Sequence, residues 1–315
     1  MKSINHYIHW TYRNIVRFLL KSDKLRVFLV KHKLSLLLKM FYFNWKGKWP
    51  NLMNPTDLNE ALMKLSVKHQ KDSNVRNLIV EYADKYKVRE YIEKMGYGHT
   101  LNELYGVYTD VDDIDLDSLP GQFVMKMNNA SGRNFICLDK NEVNWENVKS
   151  QFREWLQDDS FGMSSGEWHY SLMQPMIVVE KYLSNLGESM LIDYKFNVIG
   201  GKVYSCFVGY NRNPNDPHGD VCFDDYDKDW NLTENILPEW HKNRRLISKP
   251  ENYDKMVKMA EDLCKEIEYV RFDVYEIDGK ILFGEMTFTP QGCVLEFYRD
   301  SFLKQSFEDN KTLFE

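Results

Sequence analysis

The stretch Tyr269–Pro290, Y-V-R-F-D-V-Y-E-I-D-G-K-I-L-F-G-E-M-T-F-T-P, decides the fold. It reads as two strands around Asp278-Gly279, because both flanks are rich in β-branched and aromatic residues and Asp-Gly is a strong hairpin signal. A two-residue turn pairs Ile277 with Lys280 and sends Asp273 and Glu285 to opposite faces. A three-residue loop, with Gly279 left-handed beside a bulge, pairs Glu276 with Lys280. Arg271, Asp273, Glu285 and Thr287 then share one face, and Phe272, Val274, Leu282, Met286 and Phe288 take the other. The second register is preferred because it buries no carboxylate among hydrophobes. It places two carboxylates close together beside an arginine, and like charges that close need something positive between them. Two such acids suit Mg²⁺, which proteins hold with one or two carboxylates plus substrate phosphates. The hairpin alone is equally compatible with a surface ribbon of scattered charges.

The chain has 315 residues, enough for one large or two ordinary domains. Its five cysteines (Cys137, Cys206, Cys222, Cys264, Cys293) form no Cys-x-x-Cys pair, so neither a zinc site nor a disulfide framework is indicated and a reducing cytoplasm fits. Residues 1–48 hold eleven Lys/Arg and one acid, Asp23, whereas the remainder holds 30 Lys/Arg and 46 Asp/Glu. The basic segment is studded with aromatic and leucine residues. Charges interrupt every apolar run, which excludes a cleavable signal peptide and a bilayer span. Basic amphipathic helices with aromatic faces lie on anionic membrane surfaces; the alternative is a helical cap with a solvated basic face. The acidic remainder argues against a nucleic-acid partner.

The breaker-rich stretch 46–57 ends this unit, giving a basic helical segment 1–53 and a catalytic domain 54–315. Within that domain the pattern divides into a helical part 54–119, a lobe 120–183 and a C-terminal lobe 184–315. Asp84 reads as the N-cap of a helix 85–95 stopped by Gly96, with Val88, Tyr91, Ile92 and Met95 as its apolar stripe. Strand patterns start at Gln122 and flank a small-residue loop, 128–134. A helix over 144–157, strands over 176–183, 190–199 and 202–209, and a helix from Pro250 to about 267 follow. The polar stretch 211–230 reads as a long substrate-facing loop, in which Arg212 and His218 are candidate substrate contacts. Helices mixed with antiparallel strands make the chain α+β.

Walker A, Gly-x-Gly-x-x-Gly, His-Glu-x-x-His and Gly-x-Ser-x-Gly patterns are absent. Asp-x-Asp recurs within 110–117 and 225–229, but only in generally acidic stretches where it arises easily by chance. What remains is an ordered set: Lys85, Lys126 before the loop 128–134, Glu180 to Leu183 closing an apolar strand, Lys195, and the hairpin acids. Lysines supply point charges for phosphate oxygens. A Gly/Ser/Asn loop lets backbone N–H groups approach a polyphosphate. An apolar strand ending in exposed backbone can hydrogen-bond an adenine edge.

This order and spacing resemble the ATP-grasp superfamily, and most of all its TupA-like branch, associated with teichuronopeptide and capsular-polysaccharide synthesis. The resemblance covers roughly 54–296. It is carried by Y-A-D-K-Y-K-V-R-E-Y, L-P-G-Q-F-V-M-K-M-N-N-A-S-G, V-V-E-K-Y-L, D-Y-K-F and the hairpin itself. It implies ATP held between two α+β lobes. Lys85, Lys126, Ser131 and Gly132 would hold phosphates, and Glu180 with the backbone of Lys181, Tyr182 and Leu183 the adenine. Glu188 would hold the ribose, Lys195 the terminal phosphates, and Asp273, Glu285 and Thr287 Mg²⁺, where relatives commonly carry an asparagine at the last position. The implied activity is an ATP-dependent carboxylate–amine ligase passing through an acyl phosphate stabilised by Arg271. Its substrates would be a small-molecule amine and a carboxylated sugar or glycan, through a uronic-acid or amino-acid group of a bacterial cell-surface polysaccharide or its precursor, with the enzyme peripheral at the inner face of the membrane. Phosphoryl transfer to a hydroxyl, a nucleotide-sugar glycosyltransferase, and a non-catalytic ATP-binding protein are the alternatives.

Overall fold

The structure, a computed structural model, describes residues 2–158, 160–184, 191–210, 221–240 and 244–315. The chain forms two compact units. One comprises Met1–Leu78, Ser160–Leu172 and Thr289–Glu315, and the other Ile79–Asp159 and Met173–Phe288.

The first unit is helical. It contains α1 (Lys2–Leu19), α2 (Asp23–Lys46), α3 (Leu58–Lys71), and, near the C-terminus, α8 (Asp300–Glu308) and α9 (Lys311–Phe314). Ser22 caps α2 by accepting a hydrogen bond from the Leu25 N–H, and Gly47 closes the helix in the left-handed conformation. The helix is not the uniformly amphipathic ribbon its charge suggests. Its backbone breaks at Lys33, and Leu34, Leu37, Leu38, Met40, Tyr42 and Phe43 beyond the break are buried. α1 is different: Trp10, Tyr12, Ile15 and Phe18 stay exposed, Phe18 to 73%. Asp57 caps α3 through the Glu60 N–H and also accepts the Tyr42 hydroxyl at 2.9 Å. Burial, and the Asp57 charge after it, push that phenol well above its ordinary range. Among the described residues no helix is long and apolar enough to cross a membrane. All five cysteines are buried.

The second unit carries two antiparallel sheets. α4 (Ser73–Ala83) runs from the first unit's segment into this one at Ile79, and α5 (Val88–Lys94), α6 (Trp145–Gln157) and α7 (Tyr253–Leu263) belong to it. The smaller sheet has the order β1-β4-β2-β3, from β1 (Leu104–Tyr108), β2 (Phe123–Met127), β3 (Asn134–Cys137) and β4 (Ile177–Lys181). The larger has the order β7-β6-β5-β8-β9, from β5 (Asp193–Ile199), β6 (Lys202–Tyr210), β7 (Cys222–Asp227), β8 (Tyr269–Ile277) and β9 (Lys280–Thr287). Met256, Met259, Ala260 and Leu263 give α7 its buried face. β5 and β6 meet at Gly200-Gly201, both with positive φ, as a tight turn between right-twisted strands requires.

Three sequence expectations are corrected. The helix after Asp84 begins at Val88 rather than 85: the Asp84 carboxylate accepts the Tyr86 and Lys87 N–H groups, so the cap closes a turn before the helix starts, and Met95 is exposed. The polar stretch 211–230 is not wholly loop, since Cys222–Asp227 pairs with β6 as an edge strand; its hydrogen-bonding partner outweighs the low strand propensity of three aspartates. The third correction concerns the hairpin. Asp278 and Gly279 have φ of 50° and 72° and form a two-residue turn that pairs Ile277 with Lys280. Asp273 nevertheless faces Glu285, because a bulge between Asp273 and Val274 shifts the register by one at Gly284. The shared face of Arg271, Asp273, Glu285 and Thr287 is therefore as expected, but reached by another route. Phe283, paired with Val274, occupies the apolar face in place of Leu282, which pairs with Tyr275.

Gly284 permits the bulge: a Cβ there would lie 2.8 Å from the Asp273 carbonyl oxygen and 3.2 Å from its carbon, a backbone clash that no side-chain motion relieves. Gly284→Ala should destabilise the protein by roughly 1–3 kcal/mol in urea unfolding. It should also weaken nucleotide binding more than Gly279→Asn, which keeps a residue tolerant of positive φ. Equal effects of the two substitutions on nucleotide affinity would show that the bulge does not set the acid pair.

Candidate nucleotide and metal site

Period-two alternation and the strand pairing place two rows of side chains side by side on one face of the larger sheet. The central row is Asp225 (β7), Phe207 (β6), Lys195 (β5), Asp273 (β8) and Glu285 (β9). The next row contains Ser205, Asn197, Arg271 and Thr287. The opposite face, with Phe196, Phe272, Val274 and Met286, is core.

Arg271 is the hub. Its Nε donates to Asp273 Oδ1 at 2.8 Å. Its Nη2 donates to Asp273 Oδ2 at 2.8 Å, to Glu285 Oε1 at 2.9 Å and to Thr287 Oγ1 at 3.2 Å. The Thr287 hydroxyl donates to Glu285 Oε1 at 3.0 Å. Lys195 Nζ donates to Asp273 Oδ2 at 2.6 Å and lies 3.8 Å from Asp193 Oδ1. Burial alone would raise the Glu285 carboxyl, but Lys85, Arg271 and Lys195 outweigh it and hold it at about 2. Burial likewise opposes the Arg271 charge, and Asp273 and Glu285 reverse that, fixing the guanidinium in its cationic form.

The smaller sheet supplies the other cluster. Lys126 Nζ donates to Glu180 Oε2 at 2.6 Å, and Arg89 Nη1 donates to Glu180 Oε1 at 3.2 Å. Arg89 Nη2 reaches the Asn102 carbonyl at 2.8 Å, and Asn102 Nδ2 donates to the Lys181 carbonyl at 2.9 Å. Lys181 N–H donates to the Glu103 carbonyl, so both of its peptide groups are engaged, and the backbone of Tyr182 and Leu183 continues past the strand. Ser131 and Gly132 are exposed at the turn of the 128–134 loop, Gly132 with φ of 72°. The loop is anchored by the buried Asn128. Its Nδ2 donates to Asp84 Oδ2 at 2.7 Å and to the Gln174 carbonyl, and its Oδ1 accepts the Met176 N–H. Lys85 Nζ donates to the Ala130 carbonyl at 2.6 Å and lies 3.9 Å from Glu285 Oε2, so it touches both clusters.

Lys85, Lys126, Glu180, Lys195, Arg271, Asp273, Glu285 and Thr287 are thus gathered into two linked clusters. Glu188, Arg212 and His218 lie outside the described residues. Arg89, Asn128 and Asp193 join the site without having been singled out. Only Asp193 had a visible signal: it stands two residues before Lys195 on a strand and so shares its face. Among the described residues no three His, Cys, Asp or Glu side chains converge on one point. Two carboxylates and a hydroxyl are nonetheless the hard-oxygen donor set that Mg²⁺ accepts when phosphates complete its shell, so these residues fit that ion.

The chain belongs to the TupA-like ATP-grasp family, whose model matches residues 63–307. Its fold is therefore the ATP-grasp fold, and its class the ATP-grasp enzymes. Similar solved structures include D-alanine–D-alanine ligase from Bacillus anthracis complexed with ATP, at 17% identity over 66% of this chain and 55% of that one, with a TM-score of 0.39. L-amino acid ligase from Bacillus licheniformis is similar at 14% identity over 87% of this chain and 54% of that one, with a TM-score of 0.40. The chain thus spans little more than half the length of either ligase. No curated protein matches it.

Removing one partner of a buried charge cluster costs more than the cluster contributes, about 3–5 kcal/mol, because the remaining charges lose their counter-ion. Arg271→Met should therefore lower the urea midpoint sharply. Mg²⁺, able to take the guanidinium's place between the acids, should raise the melting temperature of the variant more than that of the native protein. An equal Mg²⁺ response in both would count against a cation position between Asp273 and Glu285.

Proposed function

We propose that this protein is an ATP-dependent carboxylate–amine ligase acting on a carboxylated sugar or glycan of a cell-surface polymer or its precursor. The observation that carries the reading is the convergence of Lys195, Arg271 and Lys85 on the Asp273–Glu285 pair, in a chain whose family binds ATP. In the first step a substrate carboxylate oxygen bonds to the γ-phosphorus and the bond to the ADP oxygen breaks. An amine then attacks the acyl carbon, inorganic phosphate departs and the amine gives up a proton, leaving an amide. The chain's contribution is alignment and charge stabilisation. Lys126 and Lys85 neutralise phosphate oxygens, exchanging their present partners Glu180 and Ala130 for them. Glu180, freed on one oxygen and held on the other by Arg89, faces the base. Lys195 and Arg271 meet the charge that gathers on the transferred phosphoryl and the acyl phosphate. Asp273, Glu285 and Thr287 would hold Mg²⁺, which would supply charge neutralisation for the phosphates.

ADP and inorganic phosphate release that requires both a uronic acid and an amine is the expected result. AMP and pyrophosphate, or ADP release with a phosphorylated product and no amine requirement, would overturn ligation. Lys126→Met should weaken ATP binding about tenfold, roughly 1.4 kcal/mol, by calorimetry.

The proposal extends to location, peripheral at an anionic cytoplasmic membrane face. Its support is the exposed Trp10, Tyr12, Phe18 and Phe28 in a segment carrying eleven basic residues and one acid. Deleting 1–48 would open a core that contains Leu37 and Leu38, so the discriminating variant is Trp10→Ser with Phe18→Ser. It should float poorly with vesicles containing phosphatidylserine while keeping its melting temperature. Flotation equal to the native protein's would refute the membrane role.

A further inference from the structure

The carboxylate near the end of β4 is shared by two cations that reach it from different elements. Val124 pairs with Glu180 and Lys126 with Val178, so Lys126 and Glu180 are diagonal neighbours on one face of the smaller sheet. Arg89 reaches the other oxygen from α5, 91 residues earlier in the chain. The two cations are held unequally. Lys126 meets Glu180 at 2.6 Å at the end of a flexible stem that is 31% exposed. Arg89 is tied at two points, to Glu180 through Nη1 and to the Asn102 carbonyl through Nη2. Asn102 is itself fixed, since its Nδ2 donates to the Lys181 carbonyl and its Oδ1 accepts the Glu103 N–H, each at 2.9 Å. Arg89 cannot turn away without unfastening the end of β4, whereas Lys126 can. The Glu180 side chain is only 9% exposed, so its charge needs a partner at all times. Lys181 stands on the other face of β4 and pairs with Glu103 at 3.4 Å, so it offers Glu180 no replacement charge.

We propose that Arg89 is a positioning residue for the nucleotide: it is the fixed counter-ion of Glu180, and its presence is what releases Lys126 to the phosphates. This deepens the reading of Lys126 and Glu180 as nucleotide contacts and rests on it. With Arg89 in place, Lys126 can swing from one oxygen of Glu180 to a phosphate oxygen, and the buried carboxylate keeps a cation on its other oxygen. Without Arg89 the same swing would strand a buried charge, and that penalty would hold Lys126 where it is. Arg89 therefore acts on the phosphate end of the site through Glu180 while touching no part of the nucleotide. An arginine suits the task better than a lysine, because its planar fork meets a carboxylate and a backbone carbonyl at once.

The test is titration calorimetry of MgADP on the full chain, native and with Arg89→Gln, Arg89→Lys, Glu180→Gln and the double substitution Arg89→Gln with Glu180→Gln. Gln at position 89 removes the charge and keeps a donor for the Asn102 carbonyl. Gln at position 180 removes the charge and keeps an acceptor for the base. Arg89→Gln should weaken MgADP binding at least tenfold, and Arg89→Lys by less than threefold. Adding Glu180→Gln to Arg89→Gln should restore the affinity to within threefold of native, because no buried charge is then left behind when Lys126 moves. A merely structural role for Arg89 predicts no such rescue. Native affinity in Arg89→Gln, or a loss that Glu180→Gln does not repair, overturns the proposal. If Arg89→Gln alone does not fold, Glu180→Gln and the double variant decide: their affinities should agree within twofold, and a tenfold gap between them overturns it. A native protein that binds no MgADP sinks the nucleotide reading itself, whereas native binding with an indifferent Arg89→Gln sinks only the role of Arg89.

Discussion

A single guanidinium holds together the strands that define this site. Asp273 and Glu285 face each other directly across β8 and β9, where side chains are about 5 Å apart. At an effective dielectric near 20, two unit charges at that distance repel by roughly 3 kcal/mol. Arg271 turns this into attraction because its planar fork places one donor on Asp273 Oδ1 and shares the other among Asp273, Glu285 and Thr287. A lysine could supply the charge but not the fork. Lys195 and Lys85 extend the alternation of sign on either side, so a dense patch of ionised groups persists on a sheet whose other face is hydrocarbon.

The hairpin shows how far a sequence can be read and where reading stops. Its strands, its Asp-Gly turn and the partition of acids from apolar residues all follow from alternation and residue type. The route to that partition does not. A two-residue turn with a bulge at Gly284 gives the same parity as a three-residue loop, and parity is all that alternation encodes. What separates the two is a contact between the bulged strand and the Asp273 carbonyl, a property of the assembled ladder. Phe283 and Leu282 exchanged faces for that reason. Arg89 was hidden differently: it sits on a helix far in sequence from Glu180, and nothing local marks their meeting.

The basic N-terminal segment carries the same lesson at larger scale. Composition shows two cationic helices with apolar residues, yet it does not say which apolar residues find cover. α2 buries most of the apolar residues of its second half, whereas α1 leaves Trp10 and Phe18 in contact with solvent. A net charge of one sign therefore conceals one helix that is structural and one that has apolar surface to spare. The same holds for the aspartates of β7. Asp224 is completely buried beneath Arg244 and Tyr210, and Asp225 accepts from Thr233 and Asn235, so neither resembles the solvated acidic loop that its composition implies.

The bulge has a consequence for how such a hairpin can change over generations. Gly284 is the unpaired extra residue of its strand, so losing it leaves Phe283 opposite Val274 and Glu285 opposite Asp273 and turns no side chain over. Losing Phe272 instead would make Arg271 and Asp273 neighbours on opposite faces of the sheet. Single-residue deletions in this part of the gene should therefore be tolerated at the bulge and purged a few codons away.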